Sequence, residues 1–341
     1  MEMRDAAMVA VEVLRGGRVE SRHRVRACVV GVDRGAPPLL AVGDIDAPVY
    51  PRSAIKPFQA LPLLESGAAE AFGVSDEEAA LACASHGGEP AHVERVAAWL
   101  ARLGLEERHL ACGPHPPMHA ASAVALASTG RKPTRLHNNC SGKHTGMLAA
   151  CLHLGLPVEG YADLAHPLQH RITSAMSELA DLPGLEAPGT DGCSLPAFVM
   201  PLRALARAAA RLAAPDAADL APERAAALRR AATAMRAHSH LVAGTGRICT
   251  ALMRHAPGVV AKTGAEGVFL AAIPSRGLGV ALKAEDGASR AAEVALLALL
   301  DHLGAIPPEA RAALAPFARP RLRDYNGTEV GEVRPAPGWP A

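Results

Sequence analysis

A serine and a lysine spaced three residues apart are the strongest candidates for chemistry in this sequence. They are Ser53 and Lys56, within the stretch from Tyr50 to Phe58. Apolar residues recur after Ser53 with helical spacing, and in a helix residues i and i+3 share a face. A desolvated lysine amine can then take the serine proton, which makes the hydroxyl a nucleophile. For an isolated pair, a serine that caps a helix beside a solvated lysine is the more common arrangement.

Lysine is scarce in this chain, and the scarcity favours the chemical interpretation of the pair. Lys and Arg together number 35, and the only lysines are Lys56, Lys132, Lys143, Lys262 and Lys283. Arginine keeps its proton in proteins, whereas burial can lower the pKa of a lysine until it acts as a base. The few lysines that the chain retains are therefore candidates for amine chemistry.

Two more motifs accompany the pair. Lys262 opens the sequence Lys-Thr-Gly after an apolar run, and K-T-G accompanies S-x-x-K in serine β-lactamases and penicillin-binding proteins. Ser85 stands roughly where the serine of their middle motif falls, although His86 and Gly87 follow it instead of the usual asparagine. Together the three motifs indicate a hydrolase that uses Ser-Lys chemistry.

Composition narrows the class of protein. The chain has 341 residues, of which 50% are hydrophobic and 20% charged, as in globular proteins. A net charge of +1 gives no reason to expect nucleic acid or an anionic membrane as partner, and no apolar run is long enough to span a bilayer. Charges at Glu2, Arg4 and Asp5 argue against an export signal. With seven cysteines, an odd number, we expect reduced thiols and a cytoplasmic protein.

Residue patterns predict an α+β fold with strands at both ends of the chain. Alternating and β-branched residues predict strands within 8–43 and at 258–262, 267–273 and 278–284, with glycine-containing turns between them. A mixed sheet should therefore form from about 1–50 and 255–341, as in the S-x-x-K hydrolases, with a helical lobe at about 53–250 and the whole of 1–341 as one interwoven unit. The helices are predicted near 54–66, 76–84, 90–103, 143–154, 166–180, 198–213, 222–239 and 289–303.

A second group of candidate residues surrounds another helix start. Gly142-Lys143 resembles part of a phosphate-binding loop, but His137 and His144 replace the first glycine and the final Ser/Thr of that motif. Cys140 and Lys143 share a helix face, and Cys193 could meet them in the fold. A pair of thiolates would suit zinc as a ligand set. The spacing by itself favours buried free thiols, because no C-x-x-C or H-x-x-x-H motif is present.

Assembled, these motifs resemble the L-asparaginase II family, the Ser-Lys, zinc-binding L-asparaginases whose fold is similar to that of serine β-lactamases and glutaminases. The resemblance extends over nearly the whole chain. It is carried by five strings of residues, at 52–59, 85–88, 138–144, 191–193 and 262–267.

The resemblance implies roles for individual residues. Ser53 would be the nucleophile with Lys56 beside it, and Ser85 and Lys262 would form a second Ser-Lys pair. Arg52 and Asp191 would contact the charged α-groups of the substrate. One zinc ion per chain would be held by Cys140, Lys143 and Cys193, with a fourth position open to water. It would organise the substrate pocket and not activate the nucleophile.

The implied activity is hydrolysis of L-asparagine to L-aspartate and ammonia through a serine acyl-enzyme, in a homodimer. Two alternatives stay open from the sequence. One is another S-x-x-K amidohydrolase, a glutaminase or a β-lactamase-like enzyme, although the latter should be exported. The other is a non-catalytic sensor or zinc-binding protein.

Overall fold

Most strands lie near the two ends of the chain and most helices in its middle in the computed structural model, which describes residues 7–340. The N-terminal charges that argue against an export signal lie outside the described residues. Within residues 7–340 no helix combines the length and the apolar character that crossing a membrane requires. The strands are β1 Met8–Arg15, β2 Arg18–Gly31, β3 Leu40–Val42, β4 Pro48–Val49, β5 Glu186–Thr190, β6 Pro196–Pro201, β7 Val260–Thr263, β8 Val268–Ile273, β9 Leu278–Ala284, β10 Arg321–Arg323 and β11 Glu329–Pro335.

The helices follow the same chain order. They are α1 Lys56–Gln59, α2 Leu61–Glu65, α3 Ala68–Ala71, α4 Asp76–Ala82, α5 Pro90–Arg102, α6 Ala120–Ser128, α7 Ser141–His153, α8 Pro167–Ala180, α9 Leu202–Ala213, α10 Pro222–Ala237, α11 Ser239–Ala243, α12 Ile248–His255, α13 Ser289–His302 and α14 Arg311–Ala318.

The chain packs as two compact units. The first, called the sheet unit, contains the residues up to Ala54, Met200–Ala214 and the residues from Ala251 onward. The second, called the helical unit, contains Ile55–Val199 and Pro215–Thr250. That they fold as a single interwoven domain stays a prediction.

The sheet unit joins strands from both ends of the chain. Its order is β10-β11-β1-β2-β9-β8-β7, and β3 pairs with the second half of β2. Every pairing described in this sheet is antiparallel. The expected sheet was a mixed one, with parallel as well as antiparallel pairs. Gly16 and Gly17, both with positive φ, form the tight hairpin turn between β1 and β2 that antiparallel strands favour. The predicted α+β class, with a sheet built from both chain ends, is confirmed.

One helix that the sequence assigns to the helical lobe belongs to the sheet unit instead. Helix α9 packs on β9, β2 and β8, and a Cβ atom added at Gly279 of β9 would overlap the backbone of Ala206 and Ala210. A side chain at Gly279 would have no space, so the glycine permits the close approach of helix and sheet. Consecutive buried residues from Val25 to Val30 of β2 show that both faces of the sheet are covered.

Helix α7 is closely packed within the helical unit. A Cβ atom at Gly142 would lie 2.6 Å from the carbonyl oxygen of Leu81 in α4, and one at Gly146 would lie 3.2 Å from the Cβ of Ala82. Glycine at both positions therefore lets α7 approach α4. This contact fixes the start of α7, where Cys140 and Lys143 are found.

The helix predicted at 54–66 is interrupted. Residues Arg52–Ile55 form a 3₁₀ turn, α1 follows from Lys56, and α2 begins at Leu61. Pro62 has no backbone N–H and so cannot donate to the carbonyl four residues earlier, which prevents a continuous helix.

Candidate functional site

The serine of the S-x-x-K motif lies in a strained turn of the sheet unit. Arg52, immediately before it, has a φ of 51°, in the left-handed region that residues other than glycine rarely adopt. The N–H of Ala54 donates to the carbonyl of Pro51 at 3.1 Å and closes the turn. Such a conformation costs about 1–3 kcal/mol and occurs mostly at functional sites that hold it in place. The turn thus fixes Ser53, whose side chain is partly exposed.

The K-T-G motif packs against this turn. A Cβ atom at Gly264 would lie 2.5 Å from the carbonyl oxygen of Pro51 and 3.4 Å from the nitrogen of Ala54. The N–H of Gly264 donates to the carbonyl of Val268 at 2.7 Å, which ties it to β8. The sheet unit therefore brings the third motif into contact with the serine turn, which sequence spacing alone does not show.

Lys262 lies on β7, opposite Leu270 of β8. It is buried, and its Nζ donates to the carbonyl of Thr263 at 2.9 Å. The strand pairing holds the lysine stem in the sheet, so its position depends on the register of β7 with β8.

Lys56 is the centre of the site in the helical unit. Its side chain is 1% exposed. Its Nζ donates to the carbonyl of Ala84 at 2.6 Å, to the Oγ of Ser85 at 2.8 Å and to the Sγ of Cys140 at 3.1 Å. All three can accept from an ammonium group, and the hydroxyl of Ser85 can also donate to a neutral amine, so the surroundings suit either protonation state of Lys56. One amine therefore joins the serine of the middle motif to the first of the candidate metal ligands.

Burial governs the protonation of Lys56. Removal from water lowers the pKa of Lys56 from its ordinary value, and the charge of Lys143 acts in the same direction, whereas Cys140 and Cys193 oppose the shift. A buried lysine with a lowered pKa has a larger neutral fraction at a given pH. The desolvation that a lysine base requires is present.

Ser85 is held by its own backbone as well as by Lys56. It is buried, and its N–H donates to the carbonyl of Val242 at 2.9 Å. The family resemblance pairs Ser85 with Lys262, while the structure describes a hydrogen bond between Ser85 and Lys56.

Two thiols and a second lysine also meet in the helical unit. Cys193 lies in the turn between β5 and β6, where the N–H of Asp191 donates to the carbonyl of Leu195 and the N–H of Ser194 to the carbonyl of Asp191, both at 2.8 Å. The Nζ of Lys143 lies 3.1 Å from the Sγ of Cys193, and the Sγ of Cys140 donates to the Oδ1 of Asn139 at 2.8 Å. All three predicted ligands are buried and lie together.

Their charges are strongly coupled. Interaction with Cys140, together with the charges of Lys143 and Lys56, lowers the pKa of Cys193 to about 4 despite its burial. Interaction with Cys193 and burial raise the pKa of Cys140 to about 12. Burial lowers the pKa of Lys143, but Cys193 and Cys140 outweigh it and raise the pKa above its ordinary value. These directions favour a thiolate at Cys193 and a charged amine at Lys143.

The donor atoms of this group suit zinc. Two sulfurs and an amine nitrogen are the soft and borderline ligands that zinc prefers. Within residues 7–340, no group of three or more His, Cys, Asp and Glu residues is arranged to hold a metal. A metal site at Cys140 and Cys193 therefore requires a ligand of another type, and Lys143 is in place to be that ligand.

The two predicted substrate contacts fall in different units. Asp191 precedes Cys193 in its turn and accepts the N–H of Gly192 at 2.7 Å, and it is partly exposed. Arg52 is partly exposed and adjoins Ser53 in the sheet unit.

Sequence reasoning missed a polar pair next to the thiol group. His144 Nδ1 lies 2.6 Å from the hydroxyl of Tyr161, which also accepts the N–H of Ala111 at 2.8 Å. His144 Nε2 is buried and has no hydrogen-bond partner among residues 7–340. The sequence signal that could have drawn attention to the pair is the rarity of tyrosine, because the chain has three tyrosines and Tyr161 is one of them.

Known proteins place the chain in context. The sequence model of the L-asparaginase II family matches residues 11–335. No curated protein matches the chain.

Several solved structures are similar to the chain at low identity. Mglu in its native form is 16% identical over 82% of this chain and 64% of that chain, with a TM-score of 0.49. Mglu in its tris and glutamate form is 16% identical over 89% of this chain and 64% of that chain, also with a TM-score of 0.49. A protein of Bacteroides dorei DSM 17855 described as a candidate β-lactamase is 17% identical over 77% and 88%, with a TM-score of 0.39. The chain thus spans 64% of the length of these two Mglu structures.

Proposed function

The chain belongs to the L-asparaginase II family, and on that premise we propose that it is an amidohydrolase that converts L-asparagine and water to L-aspartate and ammonia. The observation that carries the proposal is the buried amine of Lys56, 2.8 Å from the hydroxyl of Ser85. Ser53 lies three residues before Lys56 in the chain. A serine activated by a desolvated amine is the chemistry that amide hydrolysis needs.

The proposed reaction has two stages. Lys56, as the neutral amine and assisted by Ser85 and Lys262, takes the hydroxyl proton of Ser53. The Ser53 oxygen attacks the side-chain amide carbon, and ammonia leaves with the proton that the amine returns. Water then attacks the resulting ester, its proton passes to the amine and on to the Ser53 oxygen, and aspartate is released.

Two charged side chains are proposed to hold the α-groups of the substrate. The guanidinium of Arg52 would pair with the α-carboxylate, and the carboxylate of Asp191 with the α-ammonium. The assignment follows from charge, since charge-assisted hydrogen bonds are the strong ones.

We also propose that Cys140, Lys143 and Cys193 bind one zinc ion per chain. When bound, the metal supplies a positive charge that helps to hold the substrate. Lys143 must give up its proton to bind, and so must any thiol that is still protonated, so zinc uptake should release protons. The serine and the amines already provide the nucleophile and the base.

Removal of the two thiols should abolish zinc binding. We expect Cys140→Ser/Cys193→Ser, purified without added metal, to lose most of the zinc carried by the wild-type protein, because serine is a poor zinc ligand. Elemental analysis measures the zinc content directly. In steady-state kinetics we expect the variant to show a larger rise in KM than fall in kcat.

Cys151 on the same helix provides the control. It is buried and free, and Cys151→Ser should keep its zinc. A double variant with as much zinc as the wild type would place the metal elsewhere.

A glycine in the K-T-G motif should be required for activity. The Cβ of Gly264→Ala would lie 2.5 Å from the carbonyl oxygen of Pro51, so the turn that holds Ser53 must move. Displacing a reacting group by about 1 Å can cost on the order of 10²-fold in rate. We expect kcat for asparagine to fall by ~10–100-fold. Gly258, whose Cβ would meet open space, is the control, and equal activities of the two alanine variants would contradict the packing argument.

Ammonia release is the test of the proposed activity. The purified protein should release ammonia from L-asparagine faster than from L-glutamine, and it should leave a chromogenic β-lactam intact. Preference for glutamine or for the β-lactam would assign the enzyme to another S-x-x-K activity. Zinc binding without turnover of any of the three would favour the non-catalytic alternative.

We propose a homodimer on the family resemblance alone. Sedimentation velocity tests this, with a monomer at all concentrations as the contradicting result. A cytoplasmic location also stays a proposal. All seven cysteines lie within residues 7–340 and are buried.

A further inference from the structure

His86 makes contacts that the proposed reaction does not use. It follows Ser85 and is fully buried. Its backbone N–H donates to the carbonyl of Asn139 at 3.2 Å, and its Nε2 lies 2.9 Å from the Oγ of Ser141. Asn139 and Ser141 are the two neighbours of Cys140, so His86 is hydrogen-bonded on both sides of that cysteine.

The tautomer of His86 is fixed by its partners. The N–H of Gly88 donates to Nδ1 at 3.1 Å, so Nδ1 carries no proton and Nε2–H must donate to Ser141. The Ser141 hydroxyl in turn donates a hydrogen bond to the carbonyl of Leu136 at 3.0 Å. Burial lowers the pKa of His86 well below its ordinary value, consistent with a neutral ring.

The orientation of the ring is fixed by stacking. The rings of His86 and His92 are nearly parallel, with centroids 4.8 Å apart and an angle of 9°. His92 is itself held, because its Nδ1 accepts the N–H of Glu89 at 3.2 Å and its Nε2 lies 3.0 Å from the carbonyl of His240. His86 therefore has little freedom to move.

The position of Cys140 matters because of Lys56. The Nζ of Lys56 contacts Ala84 and Ser85 in one segment and Cys140 in another. If the two segments separate, the amine can keep only part of these contacts. The links made by His86 span the same two segments.

We propose that His86 is a positioning residue, whose hydrogen bond to Ser141 sets the separation of Ser85 and Cys140 that Lys56 spans. The inference rests on the proposed function, since Lys56 matters as the base of that reaction. His86 touches neither the substrate nor the reacting atoms in this role.

Two variants test the two hydrogen bonds of the His86 ring separately. In His86→Gln the terminal amide can reach Ser141 as Nε2 does, whereas in His86→Asn the shorter amide can replace only Nδ1. Both lose the stacking. We expect kcat for asparagine to fall by ~10–100-fold in His86→Asn and by clearly less in His86→Gln, with KM changed less than kcat in both.

A double-mutant cycle with Ser141→Ala tests the link itself. If the His86–Ser141 bond carries the effect, His86→Asn/Ser141→Ala loses no more kcat than the worse single variant, since coupled residues are not additive. Additive losses, or equal losses in His86→Gln and His86→Asn, would overturn the proposal.

His166 is a matched control. Its Nδ1 accepts the N–H of Leu168, two residues later, at 3.1 Å, and its Nε2 lies 3.1 Å from the carbonyl of Pro157. His166→Asn should lower thermal stability about as much as His86→Asn but keep kcat. A kcat loss in His166→Asn equal to that in His86→Asn would reduce the effect to general destabilisation and overturn the proposal.

Failure of this inference differs from failure of the proposed function. If wild type hydrolyses asparagine, Ser53→Ala does not, and His86→Asn retains wild-type kcat, only the positioning role is lost. If Ser53→Ala remains active, the proposed reaction itself is wrong.

Discussion

Ser53→Ala is expected to lose ~10⁴-fold or more in kcat for asparagine, as catalytic units do when the nucleophile is deleted. The variant removes a partly exposed hydroxyl, and the hydrogen bond from Ala54 to Pro51 that closes the turn uses only the backbone. The protein should therefore keep its fold and its thermal stability. Ammonia release measures the loss, and far-UV circular dichroism with thermal unfolding checks the fold.

Trapping the intermediate makes the same test independent of rate. Acid quenching of the wild-type protein during turnover, followed by peptide mass analysis, should find a β-aspartyl group on the peptide that contains Ser53. Ser128→Ala, at an exposed serine of α6, is the control and should retain activity. A Ser53→Ala protein that releases ammonia near the wild-type rate would rule out the acyl-enzyme on this residue.

Lys56→Arg is expected to be nearly as damaging although it conserves charge. A guanidinium does not surrender its proton, so the variant has no base, and we expect a loss of roughly 10³-fold or more in kcat. The larger group must also fit where Nζ now has contacts of 2.6–3.1 Å. Steady-state kinetics on asparagine measure the loss, with Lys283→Arg as a lysine-to-arginine control in the sheet unit.

A second variant keeps this prediction testable if Lys56→Arg does not fold. Lys56→Ala leaves a cavity into which a small primary amine can enter, and added ethylamine should restore part of the activity. The restored rate should rise with pH, because only the neutral amine acts as a base. Full activity in Lys56→Arg would mean that the lysine serves as a fixed positive charge.

Regular elements with a clear period were predictable from the sequence. The strand predicted at 278–284 is Leu278–Ala284, and the helix predicted at 222–239 is Pro222–Ala237. In both, side-chain pattern and local turns agree, so local information suffices. The Gly16-Gly17 hairpin follows from the freedom of glycine to adopt positive φ.

Elements that depend on distant partners were missed. The start of the helix predicted at 198–213 is instead strand β6, because residues 196–199 pair with β5 and residues 200–201 with β4. Helix α6 has no buried residue, so it offers no amphipathic period to detect. Pro62 causes the break between α1 and α2. The helical spacing of the leucines around it nevertheless led to the prediction of one continuous helix.

The sequence by itself determined which reactive groups this protein has and how the nearest ones are spaced. Serine and lysine three residues apart, few lysines among many arginines, and glycine after Lys262 are properties of the chain. Tertiary structure decided which groups meet. Lys56 reaches Ser85 and Cys140, which are 29 and 84 residues away in sequence, and Lys143 reaches Cys193 across 50 residues. Such contacts depend on the packing of whole helices, here of α7 on α4 through Gly142, and no local pattern encodes the distance between two helices.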